Sequence, residues 1–107
     1  MNGTLLRFYV HENRKHGHIS LFEWLLGQAK AMGIHGGSAF RAIAGFGRHG
    51  ILHEEHFFEL AADMTIVVEF VVTAEEAEKL LSLLRQERVS IFYARFPAEF
   101  GVIEGDR

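Results

Sequence analysis

Hydrophobic and polar positions along this chain follow two different periods, and these periods predict its strands and helices. Alternation with a period of two predicts strands over residues 5–10, 38–46, 65–72 and 89–96. Between them, apolar residues at helical spacing predict two helices. The apolar stripe of the first helix consists of Leu21, Phe22, Leu25, Leu26, Ala29 and Met32. The apolar stripe of the second helix consists of Ala77, Leu80, Leu81 and Leu84.

Residues with known preferences for the ends of elements support this division. Thr73, with Glu76 three positions later, predicts a capping box at the start of the second helix. Ser20 and Glu23 have the same spacing and predict a capping box at the start of the first. Pro97 predicts the end of the last strand, because proline has no N–H to donate to a sheet.

The order of the predicted elements is β-α-β followed by β-α-β, and this order defines a fold class. Right-handed crossovers place both helices on the same face of a four-stranded antiparallel sheet. We therefore predict a ferredoxin-like α+β sandwich. Residues 1–107 are enough for one such domain, and residues 98–107 are expected to form a flexible tail.

The sheet face that the helices leave uncovered is also apolar. In the strand over residues 65–72, Val67 and Val71 point away from the face that Ile66 and Val68 share. A sheet face exposed to water normally carries polar side chains. Burying one large apolar side chain contributes roughly 1.5–3 kcal/mol. We therefore expect another copy of the chain to cover this face; the alternative is that the short, polar tail after Pro97 folds over it.

Glu69 is the one charged residue in that strand. A carboxylate on a covered face needs a partner of opposite charge. The strands offer Arg7, Arg41 and Arg95 as candidates. An ion pair is the favoured interpretation, and a ligand-binding or catalytic carboxylate is the alternative.

Composition and charge exclude several classes of function. The chain contains no cysteine, so disulfides and thiolate metal sites are excluded. Its net charge is −3, and Arg14-Lys15 is the one adjacent basic pair, which argues against a nucleic-acid partner. No apolar run approaches the roughly 20 residues that cross a bilayer, and the first residues lack a secretion signal. We predict a cytoplasmic protein without membrane insertion.

Several segments of the chain resemble one known family. They include Leu6-Arg7-Phe8-Tyr9-Val10, His16-Gly17, Ala29-Lys30-Ala31-Met32-Gly33, Gly45-Phe46-Gly47 and Val67-Val68-Glu69-Phe70-Val71-Val72. Together they resemble the uncharacterised family called domain of unknown function 190, within the PII-like signalling group. The resemblance implies a trimer similar to the nitrogen regulatory PII proteins and to CutA. It also implies a nucleotide in the clefts between subunits and a loop that contacts target proteins.

Candidate ligand-binding residues lie mainly around the glycine-rich turn at residues 45–50. Gly45 and Gly47 permit close approach of a ligand to the backbone, and Arg48 can bind an anion. Arg41, on the preceding strand, adds a second guanidinium. His16 belongs to the family pattern and is a further candidate. The alternative is an ordinary hairpin turn with a solvated arginine.

A second candidate site consists of three histidines, His49, His53 and His56, with glutamates nearby. Imidazole and carboxylate groups together bind Zn²⁺ or Cu²⁺. The resemblance to CutA, which has been linked to divalent copper, supports this possibility. The alternative is a polar arm that binds no metal. The implied ligand is therefore either a nucleotide or a divalent metal.

The sequence contains no organised set of catalytic residues. The Gly-x-Ser-x-Gly motif of serine hydrolases is absent. We therefore predict a regulatory protein and not an enzyme. A small anionic ligand would order the arm at residues 47–56, and this arm would signal to a target protein. The alternatives are a CutA-like metal-binding trimer and a purely structural assembly protein.

Overall fold

The computed structural model describes residues 1–46 and 64–106. Its strands are β1 (Asn2–His11), β2 (Lys15–His16), β3 (Ile19–Ser20), β4 (Ser38–Arg41), β5 (Thr65–Val72) and β6 (Phe92–Glu99). Its helices are α1 (Leu21–Ala31) and α2 (Ala74–Gln86). Among the described residues, neither helix is long and apolar enough to cross a membrane.

The main sheet has the strand order β4-β5-β1-β6, and all of its neighbouring strands are antiparallel. The two shortest strands, β2 and β3, form a separate hairpin that leads into α1. Without that hairpin, the element order is β-α-β-β-α-β. The predicted ferredoxin-like α+β fold is therefore confirmed.

The hydrophobic core lies between the two helices and one face of the sheet. Alternate residues of the two central strands point into it, because successive side chains of a strand face opposite sides. Phe8 and Phe70 are at most 2% exposed, and their rings meet edge to face with centroids 6.2 Å apart. The helices contribute Leu21, Leu25, Ala29, Ala77, Leu80, Leu81 and Leu84. All seven residues belong to the two apolar stripes that the sequence predicts.

The two helices begin in different ways. At α2, the Thr73 hydroxyl accepts from the Glu76 amide at 3.1 Å, and the Glu76 carboxylate accepts from the Thr73 amide at 2.9 Å. This capping box was predicted and is confirmed. The capping box predicted for Ser20 is wrong, since its side chain makes no cap hydrogen bond. Ser20 is held in the β2–β3 hairpin, and the amide of Leu21 donates to the Arg14 carbonyl at 2.7 Å.

The ends predicted for the last strand and for β4 are also wrong. The last strand continues through Pro97 to Glu99, with Pro97 opposite Thr4 on β1. β6 lies at the edge of the sheet, where proline is tolerated because one side of the strand needs no donor. The other wrong boundary concerns β4, which ends at Arg41 although the alternation continues to residue 46. The arm predicted at residues 47–56 lies outside the described residues.

The two helix starts provide a matched stability test. We expect Thr73→Ala to lower the free energy of unfolding by about 1 kcal/mol, because an amide at the start of α2 loses its acceptor. Ser20→Ala removes no cap hydrogen bond, so it should have a much smaller effect. Urea denaturation of both variants at the same protein concentration measures the difference. Equal losses would contradict the assignment of the two caps.

Candidate functional site

The sheet face opposite the helices is apolar, as predicted, and we call it the open face. The register aligns Leu5 with Val71 on one side and with Phe96 on the other. The apolar residues of the open face are Leu5, Tyr9, Phe40, Val67, Val71, Phe92 and Phe96. Phe40 is 54% exposed. The face therefore presents large apolar side chains to water.

An ion pair occupies the middle of the open face. Arg7 and Glu69 are directly opposite each other on β1 and β5, and the Glu69 carboxylate accepts from Arg7 Nε at 2.7 Å. Arg7 Nη2 lies 2.6 Å from the same oxygen, and Arg7 Cζ lies 5.2 Å from the centroid of the Phe96 ring. A hydrogen bond with Tyr9 raises the pKa of Arg7 most, and the hydrogen bond with Glu69 raises it further. The predicted ion pair of Glu69 is confirmed, and Arg7 is its partner.

Arg41, the first of the described candidate ligand residues, lies at the end of the sheet where β1 and β4 end and β5 begins. Arg41, the last residue of β4, donates from Nε to the Glu12 carboxylate at 3.0 Å. The amide of Glu12 in turn donates to the Met64 carbonyl at 2.9 Å, just before β5. The Arg41 side chain is 48% exposed. A half-exposed guanidinium beside a fixed carboxylate can bind an anion, which would compete with Glu12.

His16 lies in the β2–β3 hairpin and connects it to both helices. Its Nε2 atom is 3.3 Å from the Glu87 carboxylate, just after α2. Its ring contacts the ring of Trp24 on α1, with centroids 4.1 Å apart. Arg88, directly after Glu87, has a positive φ of 59°, a backbone conformation that residues other than glycine rarely adopt. The His16 ring therefore connects the β2–β3 hairpin to α1 through Trp24 and to the end of α2 through Glu87.

Of the remaining candidate residues, the structure describes only Gly45. Gly45 is exposed, lacks a positive φ, and has no heavy atom within 4 Å of the position of an added Cβ. Nothing within the described part of the chain requires glycine there, and its role in ligand binding stays a prediction. The other candidates, Gly47, Arg48, His49, His53 and His56, lie outside the described residues. Within residues 1–46 and 64–106, no group of three or more His, Asp or Glu side chains is arranged to hold a metal.

A pocket that the sequence analysis missed lies at the opposite end of β4, and we call it the Gly36 pocket. It has a volume of about 280 Å³ and lies between the end of α1 and the segment that leads into β4. Lys30 and His35 provide its polar groups. Its other lining residues are Leu26, Ala29, Ile34, Gly36, Gly37 and Phe70. Gly36 and Gly37, two consecutive glycines after the end of α1, are the sequence signal that could have predicted this pocket.

Gly37 is the residue that permits the close packing beside this pocket. A Cβ added to Gly37 would lie 2.6 Å from Cδ1 of Phe70 and closer still to Cε1. A Cβ added to Gly36 would meet no heavy atom within 4 Å. A second hollow of about 320 Å³ shares both glycines and reaches Val71 on the open face.

These two glycines provide a second matched pair of variants. We expect Gly37→Ala to lower the free energy of unfolding by about 1–3 kcal/mol, because the ring of Phe70 must move out of its buried position. Gly36→Ala should leave the stability nearly unchanged. Urea denaturation measures both. A stable Gly37→Ala variant would contradict the close packing against Phe70.

The four-stranded antiparallel sheet with two helices on one face defines the fold class of this protein as ferredoxin-like. A solved structure from Thermus thermophilus, described provisionally as a PII-like signaling protein, superposes with a TM-score of 0.63. The alignment covers 92% of this chain and 88% of that chain at 19% sequence identity.

Sequence comparison identifies the family within this class. Residues 3–89 match domain of unknown function 190, described as an uncharacterized ACR family, and the chain belongs to that family. A UPF0166 protein of Aquifex aeolicus (strain VF5) is 30% identical over 81 residues, which are 76% of this chain and 77% of that protein. The predicted family is therefore confirmed.

Proposed function

We propose that this chain is a cytoplasmic PII-like regulatory protein that forms a trimer and binds a small anionic ligand, such as a nucleotide, between its subunits. Occupancy of the site would be passed to a target protein by the arm at residues 47–56. The observation that carries the proposal is the open face, which is apolar across all four strands of the sheet. Family membership and the PII-like fold support it.

Assembly is the first step of the proposal. Phe40, Val71, Phe92 and Phe96 are all at least 40% exposed on the open face. Burying each such side chain contributes roughly 1.5–3 kcal/mol, so covering the face stabilises an oligomer strongly. Closed rotational symmetry lets every copy cover the same face with the same residues. Three copies with their open faces turned inward satisfy this requirement, and a trimer is also what the family resemblance implies.

The ion pair between Arg7 and Glu69 is compatible with such an interface. Removing an unpaired charge from water is strongly unfavourable, whereas two charges that already neutralise each other can be covered. Arg7 also lies over the ring of Phe96, which offers its negative face to the guanidinium. The pair therefore contributes little to the free energy of assembly. It allows two charged residues to be covered at an interface through the open face.

Ligand binding is the second step of the proposal. Arg41, Gly45 and His16 are the described candidates, and Gly47 and Arg48 follow directly on the chain. A phosphate or carboxylate would take bidentate hydrogen bonds from Arg41, the geometry in which guanidinium binds oxyanions most strongly. The ligand would favour one conformation of the arm by contacting it, which is regulation by population shift and requires no reaction.

Assembly through the open face is tested by placing a charge there. We expect Val71→Glu to convert the trimer into monomers, because an unpaired carboxylate would have to be buried. Ser82→Glu changes the charge by the same amount on the exposed side of α2 and should leave the trimer intact. Sedimentation velocity at micromolar concentration measures both. An unmodified protein that sediments as a monomer would contradict the proposal.

Ligand binding at Arg41 has a control in a second arginine. Arg95 lies on the helix side of β6 and donates to the Glu78 carboxylate at 2.7 Å. Like Arg41, it is paired with a glutamate and its side chain is partly exposed. We expect Arg41→Ala to weaken binding of an anionic nucleotide at least tenfold, because a charge-assisted pair is lost. Arg95→Ala should not change the affinity. Isothermal titration with a panel of nucleotides measures this, and flat titrations of the unmodified protein would contradict the proposed ligand class.

A further inference from the structure

The last described residues of the chain form a surface that its own domain leaves uncovered. Val102 is 84% exposed and Ile103 is 99% exposed, and two acidic residues, Glu104 and Asp106, follow them. We call residues 101–106 the tail. The tail begins at a fixed point, since Phe100 exchanges backbone hydrogen bonds with Met1 at 2.9 and 3.0 Å. The tail is therefore an apolar pair followed by acidic groups, projecting from an anchored residue.

The Gly36 pocket has the complementary pattern. Its floor is apolar, and Lys30 and His35 stand at its rim. Lys30 forms no ion pair with any residue in ranges 1–46 and 64–106. A volume of about 280 Å³ lies just below the range of roughly 300–1,000 Å³ that is usual for pockets holding small molecules. It suits a few apolar side chains better than a whole nucleotide.

We infer that the tail of one copy docks in the Gly36 pocket of a second copy. Val102 and Ile103 lie on the apolar floor, and the carboxylate of Glu104 faces Lys30 at the rim. The inference rests on the proposed oligomer and adds to it a contact outside the open face. Two surfaces that a single chain leaves exposed, one apolar and acidic and the other apolar and basic, then cover each other.

The length of the tail favours docking between copies over docking within one chain. Ile103 is three residues beyond Phe100, which gives it a reach of about 10–11 Å when fully extended. The tail leaves from the end of β6, and the sheet residue that lines the pocket, Phe70, belongs to β5, two strand gaps or roughly 10 Å away. Phe70 also lies level with Arg95 in the register, five residues before Phe100, which adds roughly 16 Å along the strands. The tail is therefore too short to reach the pocket of its own chain.

The absence of cysteine from the sequence makes a crosslinking experiment specific. One chain carries Ile103→Cys and a second, differently tagged chain carries His35→Cys, and the two are co-expressed. We expect a short bismaleimide to join the two tagged chains covalently, with the joined peptides identified by mass spectrometry. The control pairs Ile103→Cys with Ser82→Cys, which lies on the exposed side of α2, and should give at least tenfold less product.

Charge reversal tests whether Glu104 and Lys30 face each other. Lys30→Glu in the chain that carries His35→Cys should lower the crosslink yield severalfold. Adding Glu104→Lys to the chain that carries Ile103→Cys should restore the yield. A loss that the second change does not restore would contradict the contact between these two side chains.

Sedimentation of the same samples separates failure of this inference from failure of the proposed function. A trimer that gives no crosslink between copies would overturn the docked tail and leave assembly through the open face standing. A further variant carries Ile103→Cys and His35→Cys in one chain; a crosslink that forms inside this chain, with no product between the differently tagged chains, would also overturn docking between copies. A monomer without crosslinks would overturn the inference together with the proposed trimer.

Discussion

The structure depends on the fact that two helices cover one face of a four-stranded sheet and leave the other face bare. β1 and β5 carry apolar side chains on both faces, and the helices bury Leu6, Phe8, Val68 and Phe70 on one of them. The open face remains apolar apart from its central ion pair. Because water does not stabilise such a surface, the fold of the single chain and its proposed assembly follow from the same strand pattern.

Those features of the fold that are encoded within a few residues could be predicted from the sequence. The strand at residues 65–72 and the capping box of Thr73 and Glu76 are local patterns, and both are confirmed. Ser20 and Pro97 were misinterpreted because their roles depend on distant neighbours. Ser20 is fixed by the hairpin before it, and Pro97 is tolerated because, among the described strands, β6 has a neighbour on one side only.

The candidate site was predictable to a smaller extent, since it depends on register and on contacts between elements. The alternation of strand residues left three arginines as partners for Glu69, and the pairing of β1 with β5 selects Arg7. The contacts of His16 with Trp24 and Glu87 join residues that are far apart in sequence. The Gly36 pocket likewise needs α1, β5 and the segment before β4 to meet in space.

The four residues of β4 connect the proposed ligand site with the two hollows. Arg41 ends this strand at the proposed ligand site, and Ser38 begins it beside the glycines that the two hollows share. The strand is exposed throughout and, among residues 1–46 and 64–106, pairs with β5 alone, whereas the core beneath it consists of buried apolar residues. Packed cores resist small displacements, and an exposed edge strand resists them less. In the proposed oligomer, a ligand at Arg41 would therefore influence a neighbouring copy along β4 more readily than through the core.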